Sequence, residues 1–167
     1  MSILNVTGPH NIQWATGTTS HATLGRADND DLFNIEMEYK YSDIQTNEFG
    51  SMPANSILMG AAAFVNFTLV QYDASAIASM FSAMNGLGSN GIIFPTVGVL
   101  ISTGNTATDQ FVSIKVTPTI AGRPTYQVDN CRLISHNLRD VGNKPTRAAF
   151  RFEILPVTAN RAIYTVT

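Results

Sequence analysis

Glu48-Phe49-Gly50-Ser51-Met52-Pro53-Ala54-Asn55-Ser56-Ile57-Leu58-Met59-Gly60 is the stretch on which the reading of this chain turns. Gly50 and Pro53 punctuate it as turn residues. On either side the sequence alternates. In Phe33–Ile44, Ile35, Met37, Tyr39 and Tyr41 fall on one face and Glu36, Glu38 and Lys40 on the other. In Ala62–Tyr72, Val65, Phe67 and Leu69 oppose Asn66 and Thr68. Period two with one polar face predicts strands wetted on one side. Phe33–Ile44 exceeds the usual strand of about five or six residues, so the two segments read as the arms of an extended hairpin. Residues 45–60 are its connector, with Ala54–Met59 either a helical turn or a short bulged extension.

Beyond the hairpin the period changes. Ile77, Met80, Phe81 and Met84 recur at helical spacing within Asp73–Met84, and interspersed alanines favour helix. Asp73 suits the N-cap, where a carboxylate accepts from unpaired backbone N–H groups, and Gly86 suits the C-terminal stop. The apolar stripe should pack on a sheet. The sequence then returns to strand patterns at Val97–Ser102, Phe111–Thr117, Tyr126–Leu138 and Arg147–Leu155, with Ile92–Phe94 a short apolar run and Gly104–Gln110 a loop. In Tyr126–Leu138 simple alternation sets Val128, Asn130 and Arg132 against Asp129, Cys131 and Leu133. Ile12–Ala15 and Ala22–Leu24 are weaker strand candidates, Gly25–Asp31 a polar loop, residues 1–11 an N-terminal arm, and Arg161–Val166 a last edge strand or arm. The fold class is mainly β, a barrel or sandwich of antiparallel strands with one short α-helix and a long hairpin. No Pro-, Ser- or charge-rich linker divides the 167 residues, so residues 1–167 read as a single domain.

Composition narrows the function. Hydrophobic residues make up 44%, sufficient for a core, while charged residues are 13%, about half the usual share of roughly 25%. Such a surface is easily desolvated and leans towards subunit contact. Net charge is −2 and the ten basic residues are scattered, whereas a grip on nucleic-acid phosphates requires clustered Lys or Arg. Cys131 is the one cysteine, which excludes an internal disulfide. Met1–Trp14 has neither a basic start nor a long apolar run, so no signal peptide is expected. No apolar stretch approaches the roughly 20 residues of a membrane helix, so membrane insertion is not expected.

Chemical motifs are weak. The Gly-rich Asn85–Gly91 follows a helix and lacks the Lys and Ser/Thr of a phosphate loop. Asp28-Asn29-Asp30-Asp31 begins like a calcium loop but lacks its Gly and distal Glu. His10, His21 and His136 have no partners at metal-ligand spacing. Ser135, His136 and Asp140 are close in sequence, which does not make a triad. Glu36 and Glu38 offer paired carboxylates, although alternating charge on an exposed strand face is ordinary. Trp14 reads as a packing anchor. The sequons at Asn5 and Asn66 lack a secretory context. The chain is therefore expected not to be an enzyme and to need no cofactor or metal.

The layout does resemble one family. Leu24-Gly25 precedes the first long strand; Glu48, Gly50, Pro53 and Gly60 mark the connector; the helix Asp73–Met84 follows the return strand; Tyr126–Leu138 and Arg147–Leu155 come last. From about Leu24 to Leu155 this is similar to bacteriophage tail tube proteins, whose fold is shared with bacterial secretion and injection tubes. The resemblance implies a structural virion protein whose hairpins join into one β-barrel around a channel. It implies hexameric rings that stack into a tube, through which DNA passes without specific binding. Glu36, Glu38 and Lys40 are then the lumen-facing residues, and Glu48, Phe49, Gly50 and Pro53, with the N-terminal arm, the ring-stacking connector. Further copies of itself and the sheath, tape-measure, terminator and baseplate proteins are the implied partners. The implied location is the virion tail, after synthesis in the bacterial host cytoplasm. The same fold serves tail terminators and sheath-to-tube connectors, which is the alternative; a small β-barrel binding module or enzyme is the second.

Overall fold

The computed structural model describes residues 9–27, 33–45, 53–84, 111–139, 146–155 and 164–167. Eight strands and one helix follow in the order β1 (His10–Ala15), β2 (Ala22–Ala27), β3 (Asn34–Gln45), β4 (Pro53–Tyr72), α1 (Ala74–Ala83), β5 (Val112–Pro118), β6 (Tyr126–Arg139), β7 (Arg147–Ile154) and β8 (Thr165–Val166). Every pairing is antiparallel. The sheet order β2-β1-β5-β6-β7-β4-β3 is supplemented by a pairing of β2 with β4. That extra pairing closes β1, β2, β4, β7, β6 and β5 into a hydrogen-bonded circuit, which removes sheet edges within the body. The strand β3 stays outside the circuit.

The inner face carries the core. On β7 the alternation holds throughout, with Ala148, Phe150, Phe152 and Ile154 buried. Phe67 of β4 is central, its ring 5.3 Å from Phe150, 5.8 Å from Phe152 and 6.4 Å from Phe33. Ile12, Leu24, Leu69, Ile114, Val116 and Val128 complete the aliphatic packing. Cys131 is fully buried among them, and burial drives its thiol pKa far upward.

Helix α1 begins where the sequence places it. The Asp73 carboxylate accepts from the Ser75 N–H at 2.8 Å, the Ala76 N–H at 3.4 Å and the Ser75 hydroxyl at 2.6 Å. These bonds, the Ser75 hydroxyl first, hold the carboxyl below its ordinary pKa. The Asp73 N–H in turn donates to the Leu24 carbonyl at 3.0 Å, anchoring the helix start to β2. Met80, Phe81 and Met84 are buried and Ile77 half-buried against the core. The Phe81 ring lies 4.9 Å from His136 and 6.4 Å from Phe150. Met84, in extended conformation, closes the helix by donating its N–H to Met80 and Phe81 carbonyls.

Four expectations need correction. Gly25 is not in a loop: β2 continues to Ala27, with Gly25 opposite Tyr72. A Cβ there would lie 2.1 Å from the Gln71 carbonyl oxygen, so the glycine is required by backbone approach and not by a turn. Pro53–Gly60 is strand, not connector, because β4 runs unbroken from Pro53; of the two options for Ala54–Met59 it is the bulged extension that forms. Simple alternation fails in β6: Asn130 adopts φ 55, inserting an extra residue, so Val128 and Cys131 are both buried. His10 and Asn11 belong to β1 and not to an arm. Glu48, Phe49, Gly50, Gly86, Asp28–Asp31, Ile92–Phe94, Val97–Ser102, Gly104–Gln110 and Asp140 lie outside the described residues, as do residues 1–8.

Candidate assembly surface

Four strands, in the order β3–β4–β7–β6, present a face opposite the one that carries the core. The register brings Glu36 opposite Phe64, Glu38 opposite Ala62 and Lys40 opposite Gly60. Phe64 lies opposite Glu153, Asn66 opposite Arg151, and Arg132 and Ser135 flank the far side. Paired residues share a face, so Glu36, Glu38 and Lys40 sit together with Arg132, Arg147, Arg151 and Glu153. The Arg151 guanidinium is 3.3 Å from the Glu38 carboxylate and 4.3 Å above the Phe64 ring. Asn66 donates to Glu36 at 3.3 Å, and Arg132 pairs with Glu153. Three carboxylates thus meet four cations. Glu36 and Glu38, which the sequence offers as an acid–base pair, bond outward to separate partners on an exposed surface.

Among the described residues the sheet is open at both ends. Among the described residues β3 pairs only with β4, so its outer edge is unpaired. The strand β6 pairs with β5 only as far as Cys131 and with β7 through Arg139 on its other edge. Residues 132–139 therefore present a second unpaired edge among the described residues. Unpaired edges invite another strand.

Near the open β3 edge lies exposed apolar surface. Pairing of β4 with β7 stops at Ala63, and beyond it β3 and β4 continue as a two-stranded arm. From Ala63 to Pro53 the arm reaches about 30 Å at roughly 3.3 Å per residue. Tyr39 is 55% exposed, Tyr41 58% and Met59 63%, and Met37, Ile44, Ile57 and Leu58 are exposed as well. The tyrosine rings of Tyr39 and Tyr41 sit 6.4 Å apart. An isolated two-stranded ribbon is marginal in water, and clustered apolar exposure of this kind marks an interaction surface.

One polar cluster was invisible in the sequence, because its members are 92 and 16 residues apart. The Ser113 hydroxyl donates to the Asp129 carboxylate at 2.8 Å, and the His21 Nε2 lies 2.9 Å from the Ser113 hydroxyl oxygen. A carboxylate only accepts, so the serine proton is committed to Asp129 and the imidazole must donate through Nε2. Gln127 joins Asp129 at 2.9 Å to the Thr18 carbonyl at 3.2 Å. This order, with the hydroxyl in the middle, ties the 16–20 loop to β5 and β6. It leaves no free imidazole lone pair aimed at the serine, which a nucleophilic triad needs.

Burial lowers the pKa of His21, with Lys115 adding to the effect and Asp129 opposing it; burial also lowers that of His10, 3% exposed in β1. Both native imidazoles therefore take up a proton less readily than the unfolded chain. Their stabilising contribution is complete above the unfolded value of 6.5 and is lost as pH falls from there through the native pKa. Denaturant midpoints are accordingly expected to fall between about pH 7.5 and about pH 5.5, and His10→Gln should narrow that difference. An unchanged midpoint across the window would show that neither ring is linked to folding.

The architecture of the described residues defines a class: an antiparallel β-body, capped by one helix, with a projecting hairpin and, among those residues, two open sheet edges. It has a solved counterpart. A chain of the anti-feeding prophage baseplate, determined with six-fold symmetry, superposes with TM-score 0.53 at 9% identity, covering 100% of this chain and 97% of that one. A protein described as Hcp aligns over 96% of this chain and 99% of its own at 9% identity, with TM-score 0.38. No family model matches the sequence, and no curated protein matches it. The fold, mainly antiparallel β with one short helix among the described residues, is thus shared with a chain of that prophage baseplate.

Proposed function

We propose that this chain is a non-enzymatic structural subunit of a phage tail tube or a related injection tube, closing hexameric rings that stack around a DNA-conducting channel. The observation that supports the reading is the pair of edges left open on one sheet among the described residues. Strand directions alternate across β3–β4–β7–β6, and four is an even number. Rotation about a ring axis preserves direction, so the β3 edge of one copy meets the residue 132–139 edge of the next in antiparallel sense. Repetition removes every open edge. Six copies give 24 strands, which at about 4.8 Å spacing and roughly 40° tilt make a barrel near 48 Å across between backbones. Glu36, Glu38 and Lys40 then face the channel, and the Tyr39–Tyr41 side packs outward on the neighbouring copy.

The baseplate membership of the prophage counterpart favours one variant of this reading, a connector or initiating ring at the end of the tube. Such a protein gives single rings that do not extend. Either way the protein belongs in the tail, among sheath, tape-measure, terminator and baseplate partners, after synthesis in the host cytoplasm.

Tyr39→Asp separates folding from assembly. The side chain is exposed in the single chain, so the melting curve at low protein concentration should barely move. Assembly requires its burial, and a desolvated carboxylate costs about 3 kcal/mol or more per contact. Wild-type protein should show rings by negative-stain microscopy at micromolar concentration, and the variant monomers. Wild-type protein that remains monomeric at all salt concentrations sinks the proposal.

A further inference from the structure

Arg151 meets Glu38, Arg132 meets Glu153, and the Asp73 carboxylate accepts three bonds at the start of α1. Arg26 is different. Exposed on β2, it forms no hydrogen bond or ion pair with any described residue. The register sets this cation between two amides. Asn11 of β1 lies opposite it on one side and Gln71 of β4 on the other, and paired residues share a face. Neither amide side chain is hydrogen-bonded among the described residues. With Tyr72, Asp73 and Thr119 the three line a groove of about 640 Å³, inside the range of about 300–1,000 Å³ that binding clefts occupy. The groove lies on the body, away from the two-stranded arm and from both open edges.

The chemistry of the row selects its ligand. Strand β2 is paired with β1 on one edge and with β4 on the other, so no backbone edge is offered and recognition falls to side chains. A guanidinium gives two parallel N–H bonds to a carboxylate. A side-chain amide carries one carbonyl and one NH₂, the complement of a peptide group. Three strands at a spacing of about 4.8 Å span about 10 Å, the reach of roughly three extended residues. A phosphate monoester suits the groove less well, since it brings about −1.5 to −2 charge. Arg26 is the only cation among the lining residues, and the Asp73 carboxylate stands beside it in the same lining.

We propose that this groove docks an extended acidic segment of a partner protein, a Glu or Asp carboxylate seated on Arg26 and the adjoining peptide groups on Asn11 and Gln71. Nothing in this site depends on ring closure, so it serves a single chain and an assembled one alike.

Fluorescence anisotropy of a labelled, capped Thr-Glu-Thr-Glu-Thr peptide, titrated with the full-length chain at low ionic strength, tests this. Wild-type protein should bind one peptide per chain in any state of assembly, and added salt should weaken binding. Arg26→Gln should weaken it at least about tenfold, the worth of one charge-assisted bidentate contact. Its urea midpoint should match wild type, because the side chain is exposed. The Thr-Gln-Thr-Gln-Thr peptide should lose a similar factor against the unaltered protein, a comparison that does not rely on any variant folding. Failure of wild type to bind the acidic peptide would overturn the inference. So would equal binding of the two peptides, or an Arg26→Gln chain that binds like wild type. Inorganic phosphate competing as effectively as unlabelled peptide would also overturn it, assigning Arg26 to a simple anion.

Discussion

Phe67→Asp is expected to yield no folded protein. Phe67 is 2% exposed and stacked among Phe33, Phe150 and Phe152. Removing the ring costs about 3–5 kcal/mol in lost transfer energy and cavity formation. The new carboxylate adds several more, since it would replace a ring stacked on other rings in the apolar core, and desolvation without a partner is expensive. The sum rivals the whole stability of a domain, about 5–15 kcal/mol. Expression should give aggregate, and any soluble fraction should lack a cooperative unfolding transition. A variant that melts like wild type would mean that the core face of β4 has been assigned backwards.

Gly25→Val should weaken the closure of the body. The introduced Cβ would meet the Gln71 carbonyl oxygen at 2.1 Å and the Tyr72 Cα at 2.8 Å, both backbone atoms. Neither atom can swing aside as a side chain does, so β2 and β4 must separate. The closing pairs are few, Gly25 with Tyr72, Arg26 with Gln71 and Ala27 with Leu69, and the helix is tied to the same place through Leu24. A loss of about 3 kcal/mol or more is expected, at the upper end of overpacking effects. Gly17, with nothing within 4 Å of its Cβ position, is the control: Gly17→Ala should shift stability by less than about 0.5 kcal/mol. Equal midpoints for the two variants in urea would show that β2 is not essential to closing the body.

These two positions also show what could be read before any coordinates. Phe67 was assigned to the packed face because the period-two pattern in 62–72 is clean, and β7 was equally plain from Ala148 to Ile154. The helix announced itself through spacing and through Asp73. Gly25 was misread because a glycine beside Asp-rich sequence has the same appearance whether it turns the chain or admits a neighbouring backbone. The bulge at Asn130 went unread, and the one in Ala54–Met59 stood only as one of two options, for a related reason: one inserted residue changes which side chains share a face, yet leaves no local compositional mark. Of the assembly surface, the polar face of Glu36, Glu38 and Lys40 was legible. The exposure of Tyr39 and Tyr41 was not, since burial depends on where β7 stops pairing with β4. The open edge at 132–139 is likewise a property of pairing length, and the His21–Ser113–Asp129 chain one of long-range contact.

The buried thiol of Cys131 offers a built-in clock. Thiolate is the reactive form, and Cys131 in the native body has neither access nor a pKa that allows it. A maleimide or disulfide reagent added to intact subunits therefore stays idle until the strands around β6 part. The labelling rate then reports how often the body opens, with no engineered probe and no second sulfhydryl to confuse the signal. Because the residue sits inside the body and not on the arm, that rate reads opening of the body itself and stays blind to whatever happens at the arm.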